Sequence, residues 1–149
     1  MRTPAITLRS VSFAYHDDAV IFRNLDMEIS DGTIAVLLGS NGSGKTTMLD
    51  MVLGWLQPDA GEILLYGRSI ASYAKRERSR LLCLVPQNDP VYFSLRVLDY
   101  VLFGRAPYLP QLGLPKERDT EIALQALERV GMLEYADHDI TTLSSGERQ

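Results

Sequence analysis

The stretch Thr33-Ile34-Ala35-Val36-Leu37-Leu38-Gly39-Ser40-Asn41-Gly42-Ser43-Gly44-Lys45-Thr46-Thr47 changes character twice within fifteen residues. Thr33 to Leu38 is apolar at successive positions, the pattern of a strand covered on both faces. Gly39 to Gly44 contains only Gly, Ser and Asn, so it offers nothing to a core and lets the backbone wrap tightly. From Thr46 to Leu56, the residues Leu49, Val52, Leu53 and Leu56 recur at helical spacing. A buried strand, a glycine-rich loop and a helix in that order predict that loop N–H groups and the positive end of a helix dipole converge on one point. An anion fits there.

On the N-terminal side the sequence alternates: Ile6 and Leu8, then Val11, Phe13 and Tyr15, then Leu25, Met27 and Ile29 with Asp26, Glu28 and Ser30 between and after them. This predicts half-buried antiparallel β-structure, delivered into Thr33–Leu38 by the turn Asp31-Gly32. On the C-terminal side Pro58-Asp59-Ala60-Gly61 stops the helix, and Glu62–Tyr66 reads as a short strand closed by Gly67. Lys75-Arg76-Glu77-Arg78 reads as an exposed helical face before a second buried strand, Leu81–Val85. That strand holds the sole cysteine, Cys83, read as a small core hydrophobe. Strands alternating with helices predict a partly parallel sheet. Beyond Pro86, Val97–Phe103 and Glu117–Val130 are helical by pattern, the second with Ile122, Ala126, Leu127 and Val130 on one face. Pro107, Pro110, Gly113 and Pro115 place a long loop between them.

The 149 residues are the size of one domain, and 46% hydrophobic content predicts a globular chain. Fifteen basic against nineteen acidic residues, a net charge of −4, supply no positive field for nucleic acid or an anionic membrane. The longest apolar runs are five residues, against about twenty needed to span a bilayer. With no apolar stretch of signal-peptide length and one cysteine, the expected compartment is the cytoplasm. His16, beside Asp17 and Asp18, and His138, between Asp137 and Asp139, read as solvated loop residues.

Gly39-Ser40-Asn41-Gly42-Ser43-Gly44-Lys45-Thr46 fits the P-loop of nucleotide triphosphatases: Gly, four residues, then Gly-Lys-Thr. Lys45 then supplies a point charge for β- and γ-phosphates, and the Thr46 hydroxyl a ligand of Mg²⁺ bridging them; Thr47 continues the phosphate-binding run. A second motif, Leu143-Ser144-Ser145-Gly146-Glu147-Arg148-Gln149, lies about a hundred residues later. Alone it reads equally as a capping serine, Ser144, with Glu147 three residues on.

Together the two motifs closely resemble the Walker A loop and the Leu-Ser-Gly-Gly-Gln signature of the ABC (ATP-binding cassette) ATPases. The resemblance runs along the whole chain. It implies an α/β fold of the P-loop NTPase class, ABC type: a mixed sheet around the P-loop helix, an N-terminal antiparallel β subdomain, and the start of a helical subdomain. Residues 1–87 would hold the β subdomain and P-loop core, and 88–149 the helical subdomain up to the signature, with the C-terminal part of the fold missing. Tyr15 stands where the family places an aromatic that stacks on adenine; the plainer reading is a half-buried strand tyrosine. Gln87 matches the Q-loop glutamine, which touches Mg²⁺ and the attacking water; the plainer reading is a turn residue. Gln57-Pro58-Asp59-Ala60-Gly61-Glu62-Ile63 with Gly67 resembles the stretch that follows the P-loop helix in this family.

The resemblance further implies a head-to-tail dimer with two ATP molecules trapped between subunits, each on the P-loop of one and under the signature of the other. Ser144, Ser145, Gly146 and Glu147 would act in trans, with Ser144 and Gly146 donating to the γ-phosphate. Ser145 departs from the commoner glycine and Glu147 from the commoner glutamine, and the glutamate form resembles that of importer subunits. Arg80–Gln87 and Val101–Tyr108 are most similar to subunits of iron-siderophore, haem and cobalamin importers, whose permeases are separate transmembrane chains. That implies a cytoplasmic protein, peripheral on the inner face of the cell membrane, with ATP and Mg²⁺ as cofactors and no nucleic-acid partner. The family's Mg²⁺-holding Asp, catalytic Glu and switch His match nothing before Gln149. The chain is accordingly expected to be the N-terminal part of a longer protein and inactive in hydrolysis alone. A non-hydrolysing nucleotide-binding remnant and an ABC ATPase without a membrane partner are the alternatives.

Overall fold

In a computed structural model of the chain, which describes residues 3–16, 19–86, 93–110 and 112–148, the alternating N-terminal run forms two antiparallel strands. These are β1 (Ile6–Ala14) and β2 (Val20–Ile29), with Leu8 opposite Met27 and Val11 opposite Leu25. β3 (Ala60–Leu65) lies antiparallel on the other edge of β1, and β4 (Arg68–Ser69) pairs with β3, giving the order β2-β1-β3-β4. Leu8 and Val11 are three residues apart and should face opposite ways in a regular strand. Both are buried because the ladder is interrupted between them and Ser10 turns to φ 47. Asp26 accepts the Ser10 N–H at 2.7 Å and secures the irregularity. Opposite it Gly61 sits at φ +83, where a Cβ would meet the Arg9 and Ser10 carbonyl oxygens at 2.4 Å.

One face of this sheet is covered by α1 (Lys45–Val52), whose Met48, Met51 and Val52 join Leu8, Val11, Phe13, Ile63 and Ile70 in a buried cluster. The short helix α2 (Lys75–Arg78) buries nothing, as its charges predict. The chain divides into two compact units, Met1–Leu82 and Cys83–Gln149. The second is built on α3 (Val97–Leu102) and α4 (Glu117–Arg129), and α5 (Ser145–Arg148) follows. Its core is Val97, Leu98, Ala123, Leu127, Ala136, Ile140 and Leu143. Residues 95–98 are laced to 136–140 by the bonds Val97 N–H to His138 O (3.0 Å), Leu98 N–H to Ala136 O (2.9 Å) and Ile140 N–H to Leu95 O (2.8 Å). The Asp139 carboxylate clasps the same join, accepting from the Ser94 hydroxyl and the Thr141 N–H. Those bonds hold its pKa below the usual aspartate value, with the Ser94 hydroxyl the largest cause.

Several expectations are corrected. The described sheet is antiparallel throughout, so the expected mixed, partly parallel pairing is not part of it. Thr33–Leu38 and Leu81–Val85 belong to no strand; Ile34 is 96% exposed, Val85 65%, and Cys83 is an exposed thiol rather than a core residue. A strand apolar on both faces needs ladder partners at its edges and layers above and below. No described segment pairs with either run, so burial does not follow from their composition. Helix α1 ends at Val52 rather than Leu56, where Gly54 turns to φ 68. Its buried side is Met48/Met51/Val52, while Leu49 is exposed. In α4 the buried residues are Ala123 and Leu127, and Ala126 and Val130 face out. Gly131 at φ 72 turns the chain there, and the Met132 N–H closes back on the Leu127 carbonyl at 2.8 Å.

Candidate functional site: the phosphate loop

The loop 39–46 has the shape its glycines predict. Gly42 and Gly44 lie in the left-handed region at φ 79 and 88. A Cβ on Gly44 would meet Ile21 Cγ2 at 2.4 Å and Phe22 Cζ at 2.7 Å, so the loop's end rests directly on β2. A Cβ on Gly39 would meet Ser43 Oγ at 2.6 Å, which keeps the loop's two ends close. The Ser43 N–H reaches the Ser40 carbonyl at 3.3 Å, and Asn41 and Gly42 form the exposed crown.

The first bond of α1 runs from the Met48 N–H to the Gly44 carbonyl at 2.8 Å, leaving the N–H groups of Lys45, Thr46 and Thr47 without an intrahelical acceptor. The first turn carries no acidic residue and no side-chain cap. Lys45 Nζ donates to the Gly39 and Ser40 carbonyl oxygens at 2.8 and 2.7 Å, which holds its ammonium over the mouth-forming residues. Phosphate oxygens are charged acceptors and exchange favourably for those two neutral carbonyls. Free amides, positive-φ glycines and an ammonium in reach are a donor set that fits a polyphosphate. Thr46 is exposed and offers one hard oxygen, as suits Mg²⁺, which takes few protein ligands and completes its shell from phosphates and water. Among the described residues no group of three His, Cys, Asp or Glu could hold a metal ion.

The structure also brings Tyr15 to this loop, through a contact sequence reasoning had no means to see. Its hydroxyl lies 3.1 Å from Thr47 Oγ1, and its ring packs edge-on against Phe13 with centroids 5.0 Å apart. Tyr15 is 51% exposed while Thr47 is 6% exposed. Gln87 lies outside the described residues.

In the second unit Ser144 and Glu147 form the reciprocal cap that their spacing allows. The Ser144 N–H donates to the Glu147 carboxylate at 2.7 Å, and the Glu147 N–H donates to Ser144 Oγ at 3.3 Å. The Ser144 hydroxyl, followed by its backbone N–H, holds the Glu147 carboxyl below the usual glutamate range. Ser145 and Gly146 begin α5 and are exposed. Nothing within 4 Å would oppose a Cβ on Gly146. Two clasps were not foreseen: Ser94–Asp139–Thr141, and the Arg105–Asp119 pair at 3.0 Å, in which Asp119 also accepts the Lys116 N–H. The spacings Asp139-Ile140-Thr141 and Lys116 to Asp119 are the local signals that could have shown them.

A phosphate loop on a β-sheet with a signature-like cap downstream defines the ABC class of P-loop proteins. The family profile described as ABC transporter matches residues 22–149, and the chain belongs to that family. It is 36% identical over 146 residues to the manganese transport system ATP-binding protein MntA of Synechocystis sp., covering 97% of this chain and 55% of that protein. It is 34% identical over 129 residues to the hemin import ATP-binding protein HmuV of Gloeobacter violaceus, covering 87% of this chain and 46% of that one. Among solved structures, cbiO1 from Clostridium perfringens, part of the ABC transporter complex cbiONQ, superposes with a TM-score of 0.81 at 27% identity, over 98% of this chain and 58% of that one. The chain thus spans about half the length of the curated relatives it matches. Among the described residues no helix is long and apolar enough to cross a membrane.

Proposed function

We propose that this chain is the nucleotide-binding portion of an ABC importer's ATP-binding subunit, coupling ATP binding and hydrolysis to uptake of a chelated metal or related compound. The observation that carries this is the 39–46 loop, with its glycine conformations, the orphan N–H groups of α1 and the Lys45 ammonium. Lys45 and the loop amides from Gly39 to Thr47 would hold the β- and γ-phosphates, Thr46 and Gln87 would face Mg²⁺, and Tyr15 would lie under the base. Mg²⁺ supplies charge neutralisation between the phosphates. Ser144, Ser145, Gly146 and Glu147 would meet the nucleotide of a second subunit in a head-to-tail dimer. Residues 1–87 and 88–149 serve as the two subdomains of this reading. These residues are assigned binding and positioning rather than activation of water. A remnant that binds without turnover is the second reading.

The relatives' names support import, and they divide over cargo: manganese for one and hemin for another. An iron-siderophore, haem or cobalamin-type cargo is our choice on the resemblance of Arg80–Gln87 and Val101–Tyr108. Separate transmembrane permease subunits, with this chain cytoplasmic and peripheral on the inner face of the cell membrane, complete the proposal. The test is uptake in the cells that make the protein, comparing radiolabelled ferric siderophore, haem, cobalamin and manganese after deletion of the gene. Loss of uptake of an iron-siderophore, haem or cobalamin, restored by the wild-type gene and not by Lys45→Ala, is the expected result. Loss confined to manganese would keep the importer and overturn the cargo. Unchanged uptake of all four would overturn the importer reading.

A further inference from the structure

Thr47 is a buried hydroxyl on the first turn of α1, and among the described residues its one side-chain partner is Tyr15, thirty-two positions earlier. A buried helical threonine ordinarily satisfies its hydroxyl on the carbonyl four residues back. Here the bond goes to a different element. Tyr15 just follows β1 and is half exposed, a position at which a tyrosine ring ordinarily samples several rotamers. It is instead held at two points. Phe13, itself in the core, meets the ring at an interplanar angle of 86°, and Thr47 takes the hydroxyl tip. With edge and tip fixed, the ring keeps one orientation beside the phosphate loop and pays no ordering cost when something stacks on it.

We propose that Thr47 is a positioning residue that sets the orientation of Tyr15, so that the helix presenting N–H groups to phosphate also fixes the platform for the base. This rests on the nucleotide-binding reading above. The site would then discriminate a nucleoside triphosphate from inorganic triphosphate through the hydrogen bond that holds the Tyr15 ring in place. The hydroxyl of Tyr15 becomes essential to base recognition, although stacking needs only the ring.

The test is calorimetric titration of the purified protein with ATP and, separately, with inorganic tripolyphosphate, both with Mg²⁺, for the wild type, Thr47→Val, Thr47→Ser, Tyr15→Phe and the Thr47→Val/Tyr15→Phe double variant. Thermal unfolding of each variant reports on folding, and Tyr15→Phe, at an exposed ring, carries the test if Thr47→Val does not fold. Thr47→Val and Tyr15→Phe are each expected to weaken ATP about three- to tenfold, the worth of one neutral hydrogen bond, and Tyr15→Phe, outside the phosphate-holding residues, to leave tripolyphosphate unchanged. Thr47→Ser restores ATP affinity, and the double variant is no weaker than either single one. Equal weakening of both ligands by Tyr15→Phe, or no effect of Tyr15→Phe on ATP, would overturn the inference while leaving nucleotide binding intact. A wild-type protein that takes up neither ligand would overturn both.

Discussion

Ser144 and Glu147 hold one another: the serine N–H donates to the glutamate carboxylate at 2.7 Å and the glutamate N–H returns to the serine hydroxyl oxygen at 3.3 Å. In the proposed dimer the same hydroxyl would face a γ-phosphate of the partner's nucleotide. The carboxylate competes for it and adds like charge near the phosphate. Glu147→Gln keeps the side chain's shape and an acceptor for the Ser144 N–H but removes that charge. It is expected to lower the Mg²⁺-ATP concentration at which dimers form, and Ser144→Ala to raise it. Light scattering behind size-exclusion chromatography reads both, and an Ser144→Ala protein that dimerises like wild type would remove the signature from the interface.

The loop's glycines differ in what surrounds them. Gly44→Ala adds a clash with Ile21 and Phe22 to left-handed strain and is expected to cost about 1–3 kcal/mol. Gly42→Ala has the strain alone, with nothing within 4 Å of the new Cβ, and is expected to cost about 1 kcal/mol. Urea unfolding midpoints would show the order, and equal costs would mean that contact with β2 does not hold the loop.

Acid should loosen the Ser94–Asp139–Thr141 clasp of the second unit. The Asp139 carboxyl is held below the usual aspartate value of 3.8, chiefly by the Ser94 hydroxyl and then by Thr141. A lowered folded pKa contributes stability that is fully present above the unfolded value and is lost as pH falls through the folded one. Amide exchange at Val97, Leu98 and Ile140 is therefore expected to accelerate as pH is lowered below about 4, after correction for intrinsic rates. Asp139→Asn should flatten that dependence. A pH profile unchanged by Asp139→Asn would show that the clasp is not what acid releases.

The sequence is legible where geometry is local. The left-handed turns at Gly42 and Gly44 and the ammonium of Lys45 are legible because the turn, the close approach and the charge lie within a few residues of one another. The alternation of β1 and β2 is likewise legible, except at Ser10, where an irregularity brings Leu8 and Val11 to the same side. What depends on distant pairing was not legible. Thr33–Leu38 has the composition of a buried strand, but composition cannot supply ladder partners, and Ile34 stands exposed. The Tyr15–Thr47 bond and the Ser94–Asp139 clasp join positions thirty-two and forty-five residues apart, with no periodic signal linking them.

The most decisive measurement is the equilibrium affinity of the purified protein for Mg²⁺-ATP, with and without Lys45→Ala. Among the described residues the Lys45 ammonium bonds to its own loop, so its removal should leave the thermal midpoint nearly unchanged. Loss of a charged hydrogen-bond donor to phosphate is expected to weaken ATP about ten- to a hundredfold. Saturable wild-type binding with that loss would establish the 39–46 loop as a nucleotide site. No binding by a folded wild-type protein, or equal binding by the Lys45→Ala protein, would contradict it.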